Sequence, residues 1–149
     1  MTDDLYLGYY IHIVEDVYYR YFIHTDKGIP RAAIPELREV IYRDYRLLNG
    51  YIEKKYDLER NVTKPEGFEK EAINSLYPFD ADKMLSDLAG DYADNTQGVP
   101  VYHTPEILDE FVDIYFPKCE AVLCSARRGD APPDPLEYKW SAGDRKDYL

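Results

Sequence analysis

The sequence is poor in the residues that build metal sites and disulfide frameworks. It has two cysteines and three histidines among 149 residues. Cys119 and Cys124 form no C-x-x-C pair, so we expect two reduced, partly buried thiols, with Cys124 packed. His12, His24 and His103 lack the i, i+4 spacing of a metal-binding helix. We therefore predict no metal and no cofactor, and we interpret the histidines as surface or hydrogen-bonded core residues.

Motifs for catalysis are also missing. The eight glycines are scattered, so no glycine-rich phosphate loop is formed. The chain has no G-x-S-x-G nucleophile motif. Asp80 and Asp82 are spaced like a cation-binding pair, but the glycine and the terminal glutamate of a calcium loop are absent. The sequence predicts that the protein is not an enzyme.

Positive charge and long apolar runs are scarce as well. The 18 Lys and Arg residues are outnumbered by 29 Asp and Glu, which gives a net charge of −11. This balance argues against nucleic acid and anionic membranes as partners, because both attract basic residues. No apolar run reaches membrane-spanning length, and acids rather than basic residues precede the first one, unlike a signal peptide. We expect a cytoplasmic protein, in the host cytoplasm or in the virion if it is viral.

Tyrosine is abundant, and six of the 16 tyrosines lie in Leu5–Ile23. The aromatic and β-branched composition of this segment favours strands, and a hairpin would pair Leu5–Val14 with Val17–Thr25. That hairpin would turn at Glu15-Asp16, without the glycine or asparagine that such turns prefer. A two-residue loop would also place Ile11 opposite Arg20, which spoils a one-sided apolar face.

The ends of the same segment favour a helix. Thr2 is a suitable N-cap, and Asp3 and Asp4 fall in the first turn, where the helix dipole stabilises carboxylates. The sequence Lys27-Gly28-Ile29-Pro30 is typical of a helix C-terminus. Polar or small residues also recur every four positions from Asp4 to His24. We predict one long helix.

Four more helical patterns follow, and no internal repeat is present. A helix is predicted from Pro35 to about Arg60, with a kink or break at Asn49-Gly50, and short helices begin at Phe68 and after Asp80. Residues 90–100 are predicted to be a loop. Thr104-Pro105-Glu106 indicates a helix start, and Pro117 is expected to interrupt that helix before Cys119–Arg128. The prediction is a mainly α single-domain helical bundle of residues 1–129, with α+β and an N-terminal hairpin as the alternative.

Residues 130–149 are predicted to form an extended C-terminal arm. Three prolines in six residues favour an extended start. Aromatic residues are unusual in a purely disordered tail, so we expect the arm to pack on its own domain or on a neighbouring subunit. Its predicted partner-binding residues are Leu136, Tyr138, Trp140 and Tyr148.

Acidic residues form a second candidate interaction site. They recur at three- and four-residue spacing on the helix after Thr104, which places them on one face. This acidic ridge consists of Glu106, Asp109, Glu110 and Asp113. A second acidic block contains Asp80, Asp82, Asp87, Asp91 and Asp94. Both could be solvated surfaces, or they could meet the basic residues of a partner.

These observations predict a protein that works by protein–protein contact. Our first hypothesis is a non-enzymatic structural or assembly subunit that docks on neighbouring subunits, such as a viral connector or accessory protein, and that can form homo-oligomers. The alternative is a small acidic inhibitor, such as an immunity or anti-defence protein. It would block a basic, nucleic-acid-binding protein through the acidic ridge.

Overall fold

A computed structural model describes residues 4–72, 74 and 80–130. Its α-helices are α1 (Asp4–Tyr21), α2 (Pro35–Tyr56), α3 (Ala81–Ala93) and α4 (Pro105–Arg128). A π-helical turn, Phe22–Asp26, extends α1, and a 3₁₀ turn covers Phe68–Lys70. No strand occurs in these described residues. The predicted mainly α-helical bundle is confirmed and the hairpin alternative is wrong.

The described residues pack as two compact units. Unit 1 combines the chain up to Ile34 with the chain from Pro105 onward, and unit 2 is Pro35–Thr104. In unit 1, α1 packs along α4 through aromatic side chains: Tyr18 and Phe22 lie 5.2 Å and 5.8 Å from Tyr115, ring centre to ring centre. In unit 2, α2 packs on α3. The prediction of one domain over residues 1–129 stays a prediction.

The tyrosine-rich helical segment ends just before Gly28, as the sequence Lys27-Gly28-Ile29-Pro30 predicted. The N–H of Lys27 donates to the carbonyl of Phe22 and that of Ile29 to Ile23, both at 2.9 Å. Gly28 adopts φ = +64°, a conformation that costs glycine little and other residues more. The buried residues Phe22 and Ile23 lie inside this π turn, so core packing extends to the last residues of the segment.

Three expectations about helix ends are wrong. α2 ends at Tyr56 rather than near Arg60, and it is one helix through Asn49-Gly50. α4 is continuous from Pro105 to Arg128, and Pro117 lies inside it rather than interrupting it. The buried residues Tyr115, Cys119 and Val122 lie on both sides of this proline, so packing keeps the helix together. α3 also continues to Ala93, beyond the predicted start of the loop at residue 90.

Several predicted features lie outside the described residues. They are the N-cap at Thr2, most of the helical segment after Phe68 that was predicted to reach Leu76, and the C-terminal arm from residue 131 with Leu136, Tyr138, Trp140 and Tyr148.

Candidate protein-interaction surfaces

A buried carboxylate organises unit 2. Asp44 lies on α2 between Ile41 and Leu48, and its exposed fraction is 0%. Its oxygens accept backbone N–H bonds from three consecutive residues: Val101 at 2.9 and 3.0 Å, Tyr102 at 2.6 Å and His103 at 3.0 Å. A buried charge needs such partners, because an unsatisfied one would be very unfavourable. Asp44 therefore fixes the backbone of residues 101–103 against α2.

The segment just before this clamp also contacts α2. Gly98 has φ = +149°, and any side chain there would collide with the guanidinium of Arg43. Arg43 thus packs directly on the backbone of Gly98. We call residues 98–101 the valine loop, because it presents Val99 and Val101 to solvent with exposed fractions of 80% and 57%.

Aromatic residues of α2 lie beside the clamp. The ring of Tyr45 is 4.7 Å from the buried imidazole of His103, and Tyr42 is 6.3 Å from Tyr45. Tyr42 and Tyr45 leave 52% and 39% of their surface in solvent. Unit 2 therefore carries exposed apolar side chains on and near a loop that Asp44 holds at its Val101 end.

Unit 1 carries a groove between α1 and α4. The α1–α4 groove has a volume of about 360 Å³. It is lined by four side chains of α1 and four of α4: His12, Glu15, Asp16, Tyr19, Phe111, Val112, Phe116 and Cys119. Phe116 borders the groove and leaves 58% of its surface in solvent. The α4 side is apolar, while α1 supplies most of the polar rim.

The groove raises the pKa of two of its acidic groups. Neighbouring atoms partly desolvate the Glu15 carboxyl, which raises its pKa. The charge of His12 lowers this pKa, and that of Asp16 raises it further. Burial, with a contribution from the charge of Glu15, raises the pKa of Cys119 to about 11. The Cys119 thiol is thus protonated at neutral pH, which makes it a poor nucleophile.

The residues of the acidic ridge differ in exposure and in pairing, although their spacing predicted one shared acidic face. Glu106, Glu110 and Asp113 are exposed, but Asp109 is half-buried. Both oxygens of Glu110 bind the ammonium of Lys27 at 2.5 Å, so this carboxylate already has a cationic partner. The role of the ridge in partner binding stays a prediction.

The carboxylates of the second acidic block form hydrogen bonds and ion pairs with other residues of the chain. Asp80 caps α3 by accepting the N–H of Lys83 at 2.8 Å, and Asp82 pairs with Lys64 at 2.9 Å. Asp87 pairs with Lys83, and Asp91 accepts from Asn49 at 3.3 Å. Hydrogen bonds from Thr96, with a smaller contribution from Arg46, lower the pKa of Asp94. These carboxylates therefore stabilise unit 2 locally.

The other candidate residues are placed as follows. His24 Nδ1 lies 2.8 Å from the carbonyl oxygen of Ile29, His103 is buried, and His12 is exposed at the groove. Cys119 is buried, but Cys124 is exposed, so the prediction of a packed Cys124 is wrong. Across the described ranges, no three His, Cys, Asp or Glu side chains converge as a metal site.

Sequence reasoning missed Asp44 and the valine loop. A signal for Asp44 was present, because it occupies the apolar phase of α2 between Ile41 and Leu48. An acid at a core position of a helix requires buried hydrogen-bond donors. No comparable signal marked residues 98–101, because the exposure of a loop depends on contacts distant in sequence.

Comparison with known proteins leaves the family open. The chain matches no protein-family model, no curated protein and no solved structure. Among the helices that the structure describes, none combines the length and the apolar character needed to cross a bilayer.

Proposed function

We propose that the protein is a non-enzymatic structural or assembly subunit that docks on neighbouring protein subunits. The observation that carries this proposal is the valine loop, in which Val99 and Val101 face solvent and the buried carboxylate of Asp44 holds the backbone N–H of Val101. Exposed apolar surface that is rigidly presented is typical of protein interaction sites.

The energetics of the loop support docking. Loops positioned by a rigid scaffold often carry function. Val99 and Val101 leave 80% and 57% of their surface in solvent, and burial of this remainder in a partner would stabilise the contact by up to roughly 1.5–3 kcal/mol for each side chain. Because Asp44 already holds the N–H of Val101, less backbone entropy would be lost at that end of the loop on binding.

The chemistry of the α1–α4 groove supports a non-enzymatic role. Its thiol has a pKa of about 11, opposite to the lowered value that activates a catalytic cysteine. The neighbouring Glu15 adds negative charge and makes the thiolate still less favourable. A viral connector or accessory protein, in the host cytoplasm or the virion, remains the kind of subunit that we propose.

The predicted arm can be tested together with assembly. We would measure the solution mass of the full chain and of a chain ending at Gly129 by light scattering, with circular dichroism to check that both are helical. The proposal expects concentration-dependent association of the full chain and weaker association of a folded, truncated chain. If both are monomers at every concentration, assembly of identical subunits is contradicted.

The acidic inhibitor remains the second candidate, and the exposed carboxylates along α4 favour it. Reversal of charge at Asp109 and Asp113 would then abolish binding to a basic partner, and affinity would fall as salt rises. The internal pairing of Glu110 and of the second acidic block leaves fewer carboxylates for such a partner, so we place this function second.

A further inference from the structure

The chain carries an exposed apolar loop and a groove with an apolar wall. The valine loop presents two small apolar side chains, and Asp44 holds the backbone N–H at its Val101 end. The α1–α4 groove is apolar along α4, where Phe111, Val112 and Phe116 line it. A contact between the loop of one copy and the groove of another would bury apolar side chains of both.

The sizes of the two surfaces agree. If each carbon takes about 30 Å³, the share of a water molecule in the liquid, the six side-chain carbons of two valines need about 180 Å³. The groove offers about 360 Å³. The volume of the groove is therefore sufficient for two valine side chains.

The charges beside the two surfaces are opposite. Arg43 packs on Gly98 at the base of the valine loop, and none of the described carboxylates pairs with it. Glu15 lines the groove, and within the described ranges no Lys or Arg pairs with it. The other groove acid, Asp16, already binds Arg20 at 3.3 Å. Arg43 and Glu15 can thus pair across a contact, which favours one orientation over others.

We propose that the valine loop of one copy inserts into the α1–α4 groove of a second copy, with Arg43 opposite Glu15. This inference rests on the proposed function and names the partner as another copy of the chain. The contact joins two different surfaces, so it forms either once, head to tail, or twice in a two-fold dimer in which the loop of each copy enters the groove of the other.

Single substitutions test each surface in the full chain. Val99→Asp places a carboxylate on the loop, and Phe116→Asp places one in the groove. Val62→Asp is the matched control, because Val62 is an apolar residue with 49% of its surface exposed elsewhere in the chain. We expect each interface variant to weaken self-association at least about tenfold, and the control to leave it unchanged.

A mixing experiment tests the pairing itself. The Val99→Asp chain keeps an intact groove, and the Phe116→Asp chain keeps an intact loop. An equimolar mixture should form a heterodimer of twice 17.5 kDa, about 35 kDa, although neither variant associates alone. The Val99→Asp chain mixed with the double variant, Val99→Asp with Phe116→Asp, should stay monomeric.

The outcomes separate this inference from the proposed function. If the wild type assembles but Val99→Asp and Phe116→Asp do not weaken it, the loop–groove pairing is wrong and assembly survives. If both variants are monomeric and their mixture is too, the two surfaces do not pair with each other, and the inference is overturned. A wild type that is monomeric up to about 0.5 mM, a concentration at which small contacts should be populated, overturns this inference and limits the proposed function to docking on subunits other than copies of this chain.

Discussion

At the residue scale, Asp44 is the side chain on which the local structure depends most. It is fully buried, yet it is hydrogen-bonded to the N–H groups of residues 101–103 rather than to a cation. A carboxylate can accept several N–H bonds at once, and hydrogen bonds to charged groups are worth more than neutral ones. Asp44 links the middle of α2 to residues more than 55 positions later.

Replacing Asp44 with Asn should destabilise unit 2 and loosen the valine loop. The amide keeps one acceptor oxygen and directs an NH₂ group at backbone donors, so the free energy of unfolding should fall by about 2 kcal/mol. Urea denaturation followed by circular dichroism measures this. Asp87→Asn, at an exposed surface pair, is the control and should change it by less than about 0.5 kcal/mol. Equal effects of the two substitutions would contradict the clamp.

The two thiols should react very differently. Cys124 is exposed, whereas Cys119 is buried and has a pKa of about 11. At pH 8 only about one Cys119 in a thousand is a thiolate, since the pKa lies three units higher. We expect a thiol reagent to label one cysteine per native chain and two in denaturant. The fast site should vanish in Cys124→Ala, and fast labelling that persists in this variant would disprove the assignment.

At the element scale, α4 shows packing overriding local propensity. Pro117 lacks the N–H that would donate to the carbonyl of Asp113, and a proline in a helix interior costs about 3 kcal/mol. The helix nevertheless continues, because Tyr115 and Cys119 are buried on either side of the proline. The sequence predicted an interruption because it shows the cost of the proline and not the packing against α1.

Replacing Pro117 with Ala should therefore stabilise the fold. The backbone hydrogen bond to Asp113 is restored in an exposed turn, and we expect the free energy of unfolding to rise by about 1–3 kcal/mol. Thermal unfolding measures the change. Pro105→Ala is the matched control, because Pro105 is the first residue of α4, where the missing N–H costs nothing. A Pro117→Ala chain less stable than the wild type would show that the proline has a structural role.

Helix starts were the most predictable part of the fold. Asp80 caps α3 and Pro105 begins α4 as their patterns indicated, because capping depends only on neighbouring residues. The composition of the tyrosine-rich segment favoured strands, whereas the residues at its ends predicted a helix, and the segment is helical. The valine loop and the α1–α4 groove were not predictable, because each is formed by residues far apart in sequence.

At the scale of the whole molecule, the net charge of −11 is an excess of acids that remains after every Lys and Arg is counted. Lys27, Lys64 and Lys83 each bind carboxylates of the described residues. The apolar loop and groove are the interaction surfaces that do not depend on this charge. Like-charged copies repel one another, so we expect self-association to need apolar contact and to persist when salt screens the repulsion.

The most direct test of this account is sedimentation of the full chain at 0.15 M salt over concentrations from about 1 μM to about 0.5 mM, a range that spans weak and moderate contacts. The account predicts a mean mass of 17.5 kDa at the dilute end that rises with concentration toward at least two chains. A constant mass of one chain across the whole range would contradict it.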